Sequence, residues 1–288
     1  MCTAKRISSN NRFRLALLAT LTVFLLYLFS ACIPQNITNT QQTGISQYGV
    51  FIGANPTQAD SFSAYNLIVI DAAYFTKTDI DNLHQKGILV YAYLNIGSIE
   101  DFRDFFSDYQ HLSIGRYENW PGEFWIDVSD QEWQKHIYAQ AGLLVEKGVD
   151  GFFIDNTDVY YQYHTTDIFH GLITILNELD QYGKDILING GDLFVSEAVL
   201  NADYPLVQIT GVNQECVFTN IDFENKQLIL QNSEDTAYYQ AYLEKCRAKG
   251  LMVYLLEYSD KDKFPSEINE YCRLHQFNYY ISPSIDLR

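Results

Sequence analysis

The segment KGVDGFFID, residues 147–155, joins the end of a predicted helix to a short buried strand and stops at a carboxylate. Lysine followed by glycine is a common helix ending, because glycine adopts the left-handed cap and lysine complements the negative end of the helix dipole. The same joint occurs as KGI at residues 86–88 and as KGL at residues 249–251. Three such joints predict alternating helices and strands, and continuous apolar strands are typical of a parallel sheet covered on both faces.

Eight short apolar runs along the chain are predicted to be strands, and five periodic segments are predicted to be helices. The strands are Val50–Ile52, Leu67–Ile70, Leu89–Leu94, Gly151–Ile154, Ile186–Ile188, Leu206–Ile209, Met252–Leu256 and Tyr279–Ile281. The helices are Asp79–Gln85, Gln131–Lys147, Asp167–Tyr182, Asp235–Lys249 and Phe264–Leu274. This pattern predicts one α/β domain over residues 44–288, a (β/α)₈ TIM barrel with a long insertion in the third βα loop at residues 105–130.

Residues 1–31 have the features of a signal peptide of the lipoprotein type. Four basic residues precede an apolar run at residues 15–29, which is shorter than the roughly 20 residues that span a bilayer. Small residues then precede Cys32, as in a bacterial lipobox. The sequence therefore predicts export, lipidation of Cys32, membrane attachment through that lipid and a flexible linker over residues 32–43. An ordinary cleaved signal, which would release a secreted protein, and an uncleaved anchor are the alternatives.

The chain has 36 acidic and 19 basic residues, and its formal net charge is -17 at pH 7. This excess of negative charge argues against nucleic acid as a partner and suits attraction of cationic ligands. The Cys and His residues show no metal-ligand spacing, so neither a metal nor a cofactor is predicted. A disulfide between Cys246 and Cys272 and two buried free thiols are both open alternatives. The sequence does not indicate an oligomeric state.

Polar and aromatic side chains lie at or just after most predicted strand ends, where the active site of a barrel enzyme is found. The candidate site residues are Asp71, Tyr93, Asn95, Glu100, Arg103, Asp155, Asn156, Asp158, Tyr160, Asn189, Asn213, Glu215, Glu257 and Tyr258. A helix cap or a turn would explain any one of them, but six consecutive polar strand ends are harder to explain in that way. A carboxylate-rich barrel mouth without a metal-ligand set favours glycoside hydrolysis by two carboxyl groups.

Several long phrases of the chain resemble the endo-alpha-1,4-polygalactosaminidases of glycoside hydrolase family 114 and their bacterial relatives. The phrases are YAYLNIGSIEDFR at 91–103, WPGEFWID at 120–127, GVDGFFIDNTDVY at 148–160, NQEC at 213–216 and VYLLEY at 253–258. The resemblance covers nearly all of the chain after the predicted signal peptide. It implies a TIM barrel that hydrolyses an extracellular α-1,4-linked galactosamine polysaccharide, with the other candidate residues binding sugar.

The resemblance further implies that Asp155 is the nucleophile and Glu215 the general acid/base. One departure affects this assignment, because the family phrase commonly reads NEQC, and the glutamate here is displaced by one place if the cysteines are aligned. A one-residue shift on a regular strand turns a side chain to the other face, so Glu257 is kept as the alternative catalytic glutamate. A second cysteine often found after the phrase is missing, which implies that the family's local disulfide is absent.

Two other functions stay open on the sequence alone. One is a glycosidase that cuts another extracellular glycan, and the other is a non-catalytic, surface-tethered polysaccharide-binding protein on a degenerate barrel. The spacing of neighbouring strands allows both retention and inversion of the anomeric configuration, with retention favoured.

Overall fold

A computed structural model of the chain describes residues 47–201, 205–260 and 265–288. The predicted signal peptide, the lipidation of Cys32 and the linker at residues 32–43 lie outside these residues. Within the described ranges, the helices are too short or too polar to cross a membrane.

Eight parallel strands form the main sheet and pair in chain order. They are β1 (Tyr48–Phe51), β2 (Leu67–Ile70), β3 (Leu89–Asn95), β4 (Gly151–Asp155), β5 (Asp185–Asn189), β6 (Gly211–Glu215), β7 (Met252–Tyr258) and β8 (Asn278–Ser282). The two end strands lie side by side, since the Phe51 ring in β1 is 5.2 Å from the Tyr280 ring in β8. The sheet is therefore a nearly closed barrel, which confirms the predicted TIM barrel.

Five longer helices lie between the strands: α1 (Lys77–Gln85), α2 (Gln131–Lys147), α3 (Thr166–Asp180), α4 (Ser233–Ala248) and α5 (Pro265–His275). The first four begin after a polar cap whose side chain accepts a hydrogen bond from an N–H two or three residues further on: Thr76, Asp130, Thr165 and Asn232. The predicted helix-to-strand joints are confirmed, because Gly87, Gly148 and Gly250 all have positive φ angles, between 79° and 96°.

Short elements fill several loops. One-turn helices are Pro56–Gln58, Ser61–Ala64, Ala72–Tyr74, Phe106–Tyr109, Gln110–Leu112, Val159–Gln162 and Asp192–Val195, the last continuing into a π-helical turn at Ser196–Leu200. Between β3 and α2, the strands Ser98–Glu100, Ser113–Arg116 and Glu123–Ile126 form an antiparallel sheet. Between β6 and α4, a hairpin pairs Thr219–Asp222 with Gln227–Leu230.

The strands alternate between two apolar clusters with the two-residue period of β-structure. One cluster fills the barrel interior and includes Val69, Phe153, Leu187 and Leu256. The other packs between the outer face of the strands and the helices. A residue two places after an interior residue therefore also faces the interior, and this parity decides which strand-end side chains reach the mouth of the barrel.

The structure corrects the predicted sixth strand. The apolar run Leu206–Ile209 is not a strand, and β6 lies further on at Gly211–Glu215. Only Val212 in β6 packs in the outer apolar cluster, whereas Asn213 and Glu215 carry polar side chains on the inner face. Of the two open alternatives for Cys246 and Cys272, free thiols are observed, and both are buried.

Candidate active site

The centre of the barrel mouth is formed by the last residues of three consecutive strands. Asp155, Asn189 and Glu215 each lie two places after an interior position, so all three side chains point inward. The Asn189 amide nitrogen donates a hydrogen bond of 2.9 Å to Asp155 Oδ1 and another of 2.7 Å to Glu215 Oε1. One amide group therefore links the two carboxylates that the sequence predicts to be catalytic.

The orientation of this amide is fixed by a chain of hydrogen bonds inside the barrel. Asn213 Nδ2 donates to Asn189 Oδ1 at 2.6 Å, and the Tyr48 hydroxyl donates to Asn213 Oδ1 at 3.0 Å. With its oxygen occupied in this way, the Asn189 amide must direct its NH₂ group to the carboxylates. Asn213 is completely buried, so it supports the site from beneath and does not contact the cavity.

The shared amide limits the distance between the two carboxylates. The Asp155 and Glu215 oxygens cannot lie further apart than the sum of their distances to Asn189 Nδ2, about 5.6 Å. If the two N–H bonds diverge by about 120°, as in a planar amide, the oxygens are about 5 Å apart. The second carboxylate oxygen of Glu215, Oε2, accepts a hydrogen bond of 2.7 Å from the Tyr258 hydroxyl. The described residues donate no hydrogen bond to Asp155 Oδ2.

The environment makes the ionisation of this pair difficult. Burial raises the pKa of Asp155 to about 8, and repulsion by Glu215 adds to the shift, whereas the hydrogen bond from Asn189 opposes it. Burial also raises the pKa of Glu215, against the hydrogen bonds from Asn189 and Tyr258. Because the second ionisation would place two negative charges side by side, the pair retains one shared proton near neutral pH.

Arg103 fills the β2–β3 side of the cavity and is paired with two carboxylates. Its Nη1 lies 2.7 Å from Asp71 Oδ2, and its Nη2 lies 3.1 Å from Glu100 Oε1. The Tyr93 hydroxyl donates to the same Glu100 oxygen at 3.2 Å. All four of these residues were predicted from the sequence, and all four line the cavity.

On the β4–β5 side, Asp158 and Asn156 also line the cavity. Asp158 Oδ2 accepts a hydrogen bond of 3.0 Å from the Gly191 backbone N–H. Burial raises the pKa of Asp158 to about 7, and the neighbouring Asp192 charge raises it further. Asn156 has a left-handed backbone with φ of 64°, and its carbonyl leaves no room for a side chain at Gly97.

Four predicted site residues do not line the cavity. Glu257 is completely buried on the outer face of β7, where it accepts hydrogen bonds from the backbone N–H groups of residues 217–219 and from the Thr219 hydroxyl. Tyr160 donates its hydroxyl to Glu197 instead of facing the mouth. Asn95 and Asn213 are inward-facing residues that hold other side chains in place.

The residues around the mouth enclose a cavity of about 820 Å³. Seven acidic residues line it: Asp71, Glu100, Glu123, Asp155, Asp158, Glu215 and Asp286. Among the described residues, Arg103 is the one basic residue in the lining. In the described ranges, His, Cys, Asp and Glu side chains form no group of three with a geometry that could hold a metal ion.

Comparison with known proteins identifies the family of this carboxylate-lined barrel. Residues 34–283 match the sequence model of Glycoside-hydrolase family GH114. The chain belongs to family GH114. The protein is therefore a glycoside hydrolase, as the sequence phrases indicated. A relative from Thermotoga maritima, an uncharacterized protein, is 20% identical over 232 residues, which cover 72% of this chain and 68% of the relative.

Solved structures share the fold of this GH114 chain. The glycoside hydrolase domain of PelA from Pseudomonas aeruginosa has a TM-score of 0.72 at 18% identity, with 85% of this chain and 96% of that domain covered. Ega3 from Aspergillus fumigatus, solved in complex with galactosamine, has a TM-score of 0.61 at 19% identity, with 84% and 92% covered. At these identities the similarity establishes a common barrel.

Several lining residues of the GH114 cavity were missed as site residues in the sequence. Glu123, Tyr117 and Trp120 come from the segment between β3 and α2, and Phe223 comes from the hairpin after β6. They do not follow a barrel strand, so a search of strand ends cannot find them. The phrase at residues 120–127 was the available signal for Trp120 and Glu123, because loops over a barrel mouth often carry binding residues.

Proposed function

We propose that this GH114 protein is an extracellular endo-acting hydrolase that cuts α-1,4-linked galactosamine-containing polysaccharide by double displacement. Asp155 is the nucleophile and Glu215 the general acid/base. The observation that carries the proposal is the Asn189 amide, which binds both carboxylates and keeps their facing oxygens within about 5.6 Å. A separation of about 5 to 5.5 Å is typical of retaining glycosidases, whereas inverting enzymes need about 6.5 to 9.5 Å to admit a water between the carboxyl groups.

In the first step, the Asp155 carboxylate attacks the anomeric carbon while Glu215 donates its proton to the glycosidic oxygen. The C–O bond to the leaving sugar breaks, and a covalent glycosyl ester with Asp155 forms. In the second step, Glu215 takes a proton from water, the water oxygen attacks the anomeric carbon, and Asp155 leaves as a carboxylate. Two inversions at the same carbon retain its configuration.

The protonation of the pair supports this mechanism, because the first step requires one proton on two carboxylates. Burial raises the pKa of both carboxyl groups, that of Asp155 to about 8, so the pair keeps one proton near neutral pH. The two groups titrate as a coupled pair, which carries that one proton between them. The assignment of the two roles follows the family resemblance.

Charge complementarity supports a polymer that carries free amines. Seven acidic residues line the cavity, and their negative charge exceeds the positive charge of Arg103 even though Asp155 and Glu215 share a proton. A cavity of this kind attracts protonated amino sugars and excludes anionic glycans. The galactosamine bound in the Ega3 structure agrees with this choice of sugar.

The position of the aromatic residues supports binding of a polymer. Trp120 and Phe223 lie on one wall of the cavity with their ring centroids 5.8 Å apart, and Tyr74 and Phe102 line the same cavity from the loops after β2 and β3. Trp120 is 40% exposed, Tyr74 57% and Phe102 62%, so each offers a ring face or edge to a sugar. Export with a lipid on Cys32 would place this cavity outside the cell, where such polymers occur.

Mass spectrometry of the products tests the proposal. The purified protein is incubated with de-N-acetylated and with fully N-acetylated α-1,4-polygalactosamine, and Asp155→Asn protein serves as the inactive control. We expect internal cleavage of the de-N-acetylated polymer into a range of oligosaccharides. Cleavage of an unrelated glycan alone would identify a glycosidase of different specificity, and tight binding without cleavage would identify a binding protein.

A further inference from the structure

Glu123 is a carboxylate in the cavity whose two oxygens have different environments. Oε1 accepts hydrogen bonds from Asn95 Nδ2 at 3.2 Å, from Asn156 Nδ2 at 2.9 Å and from the Ser98 hydroxyl. The described residues donate no hydrogen bond to Oε2. Since Glu123 lines the cavity, Oε2 is the oxygen left for a ligand.

The groups that hold Oε1 are themselves fixed. Ser98, Asn95 and Asn156 are all buried, and the two amide nitrogens also donate to the Ser98 hydroxyl at 2.7 and 2.8 Å. The Ser98 backbone N–H donates to Asn95 Oδ1 at 3.0 Å, which sets the orientation of that amide. This support keeps the Glu123 carboxylate in one position before any ligand arrives, so little side-chain entropy is lost on binding.

The position of Glu123 places it beside the nucleophile of the proposed mechanism. Asn95, which holds Glu123, pairs with Asp155 across β3 and β4. The Glu123 charge also contributes to the raised pKa of Asp155. Glu215 lies two strands away on the other side of Asp155. A sugar that reacts with Asp155 is therefore next to Glu123.

We propose that Glu123 determines specificity by accepting a hydrogen bond and an ion pair from a protonated amine of the sugar next to Asp155. An N-acetyl group at that position has lost the positive charge, and its amide can make only a neutral hydrogen bond. Glu123 therefore selects de-N-acetylated residues at this subsite. The inference rests on the proposed function and adds the residue that recognises the protonated amine.

The chain offers a conservative substitution for this test. In Glu123→Gln, the amide oxygen can keep the three hydrogen bonds that Oε1 accepts, while the NH₂ group replaces the free Oε2. The variant therefore loses the negative charge toward the cavity without losing its support. Glu118→Gln is the matched control, because Glu118 lies in the same segment between β3 and α2 but is exposed and does not line the cavity.

The experiment uses partially N-acetylated α-1,4-polygalactosamine, and mass spectrometry reads which sugar occupies each new chain end. With the wild type and Glu118→Gln, we expect de-N-acetylated residues at the subsite next to Asp155. With Glu123→Gln, we expect N-acetylated residues to appear there, and kcat/KM on the fully de-N-acetylated polymer to fall about tenfold, chiefly through KM.

Chain ends that stay de-N-acetylated in Glu123→Gln would overturn the inference. If kcat/KM also falls in that case, Glu123 has a purely structural role. Thermal unfolding of the same preparations separates that role from misfolding. Failure of the wild type to cut the polymer at all would contradict the proposed function itself.

Discussion

Glu215 and Glu257 end neighbouring strands of the barrel, but they lie on opposite faces of the sheet. Glu215, on the inner face of β6, contacts the cavity, Asn189 and Tyr258. Glu257, one residue before the end of β7, faces outward and is fully buried. Its two oxygens accept hydrogen bonds from the backbone of residues 217–219 and from the Thr219 hydroxyl. Glu257 thus has no oxygen free for a substrate.

The difference shows that a carboxylate at a strand end is not enough to define a catalytic group. The face on which it lies decides whether it meets substrate or supports the loop. Glu257 holds the turn that directly follows Glu215, in which Cys216 has a left-handed backbone with φ of 57°. One glutamate therefore positions the segment that carries the other.

The largest expected effect is on turnover when the inner carboxylates are neutralised. Glu215→Gln and Asp155→Asn should each lower kcat about 10³-fold or more, because a side-chain amide can serve neither as acid nor as nucleophile. Their thermal unfolding should stay close to that of the wild type. The measurement is the initial rate on a polymer that the wild type cleaves. Near-wild-type rates would show that these residues are not catalytic.

The outer glutamate should respond in the opposite way. Glu257→Gln replaces one accepting oxygen with an NH₂ group that faces backbone N–H donors, so the free energy of unfolding should fall by about 2 to 4 kcal/mol. The kcat of the folded fraction should stay within about tenfold of the wild type. Chemical denaturation measures the loss, with Glu270→Gln as the control, because Glu270 is an exposed residue of α5. A stable but inactive variant would return Glu257 to the catalytic candidates.

The dependence of activity on pH should reflect the shared proton. Above about pH 8 the pair loses its proton and with it the general acid, so kcat/KM should fall as the pH rises through this value. At low pH both carboxylates are protonated and the nucleophile is lost. The Asn189 hydrogen bonds lower the pKa of both groups, so in Asn189→Ala both limbs of the profile should move to higher pH. The maximal kcat should fall about 10- to 100-fold. Unchanged limbs would show that Asn189 does not control the pair.

The smallest expected effect concerns the aromatic wall. Trp120→Ala removes the ring that contacts Phe223 and should raise KM about five- to tenfold with little change in kcat, since stacking affects binding more than chemistry. Leu274→Ala, a similarly exposed apolar residue on α5, is the control. Steady-state kinetics on long and short oligosaccharides measure the change. An effect on kcat alone would place Trp120 in the reaction instead of in substrate binding.

The sequence predicted the barrel well because buried parallel strands are apolar and helix endings carry their own signal at Gly87, Gly148 and Gly250. The sixth strand was misplaced because its inner face is polar. Its inner face carries Asn213 and Glu215, and therefore it lacks the apolar run by which the other strands were found.

For the site, the strand-end rule found Asp155, Asn189 and Glu215 but could not separate them from Glu257. The two-residue period contained the missing information, since Tyr254, Leu256 and Tyr258 face the interior and Glu257 falls between them. The position of Glu123 could not be obtained in this way, because it depends on how the sheet between β3 and α2 folds over the mouth. That packing is a tertiary contact, which the local periodicity of the sequence does not predict.

Proton NMR during the first turnovers tests the central claim most directly, because the anomeric configuration of the new reducing end reports the geometry of the carboxylate pair. An α-linked galactosamine oligosaccharide is added to the protein, and the anomeric signals are followed before mutarotation. The Asn189-linked pair predicts that the α-anomer appears first and the β-anomer only later, by equilibration. Initial formation of the β-anomer would mean a single displacement by water, which needs the carboxyl groups about 6.5 to 9.5 Å apart, and would contradict the account.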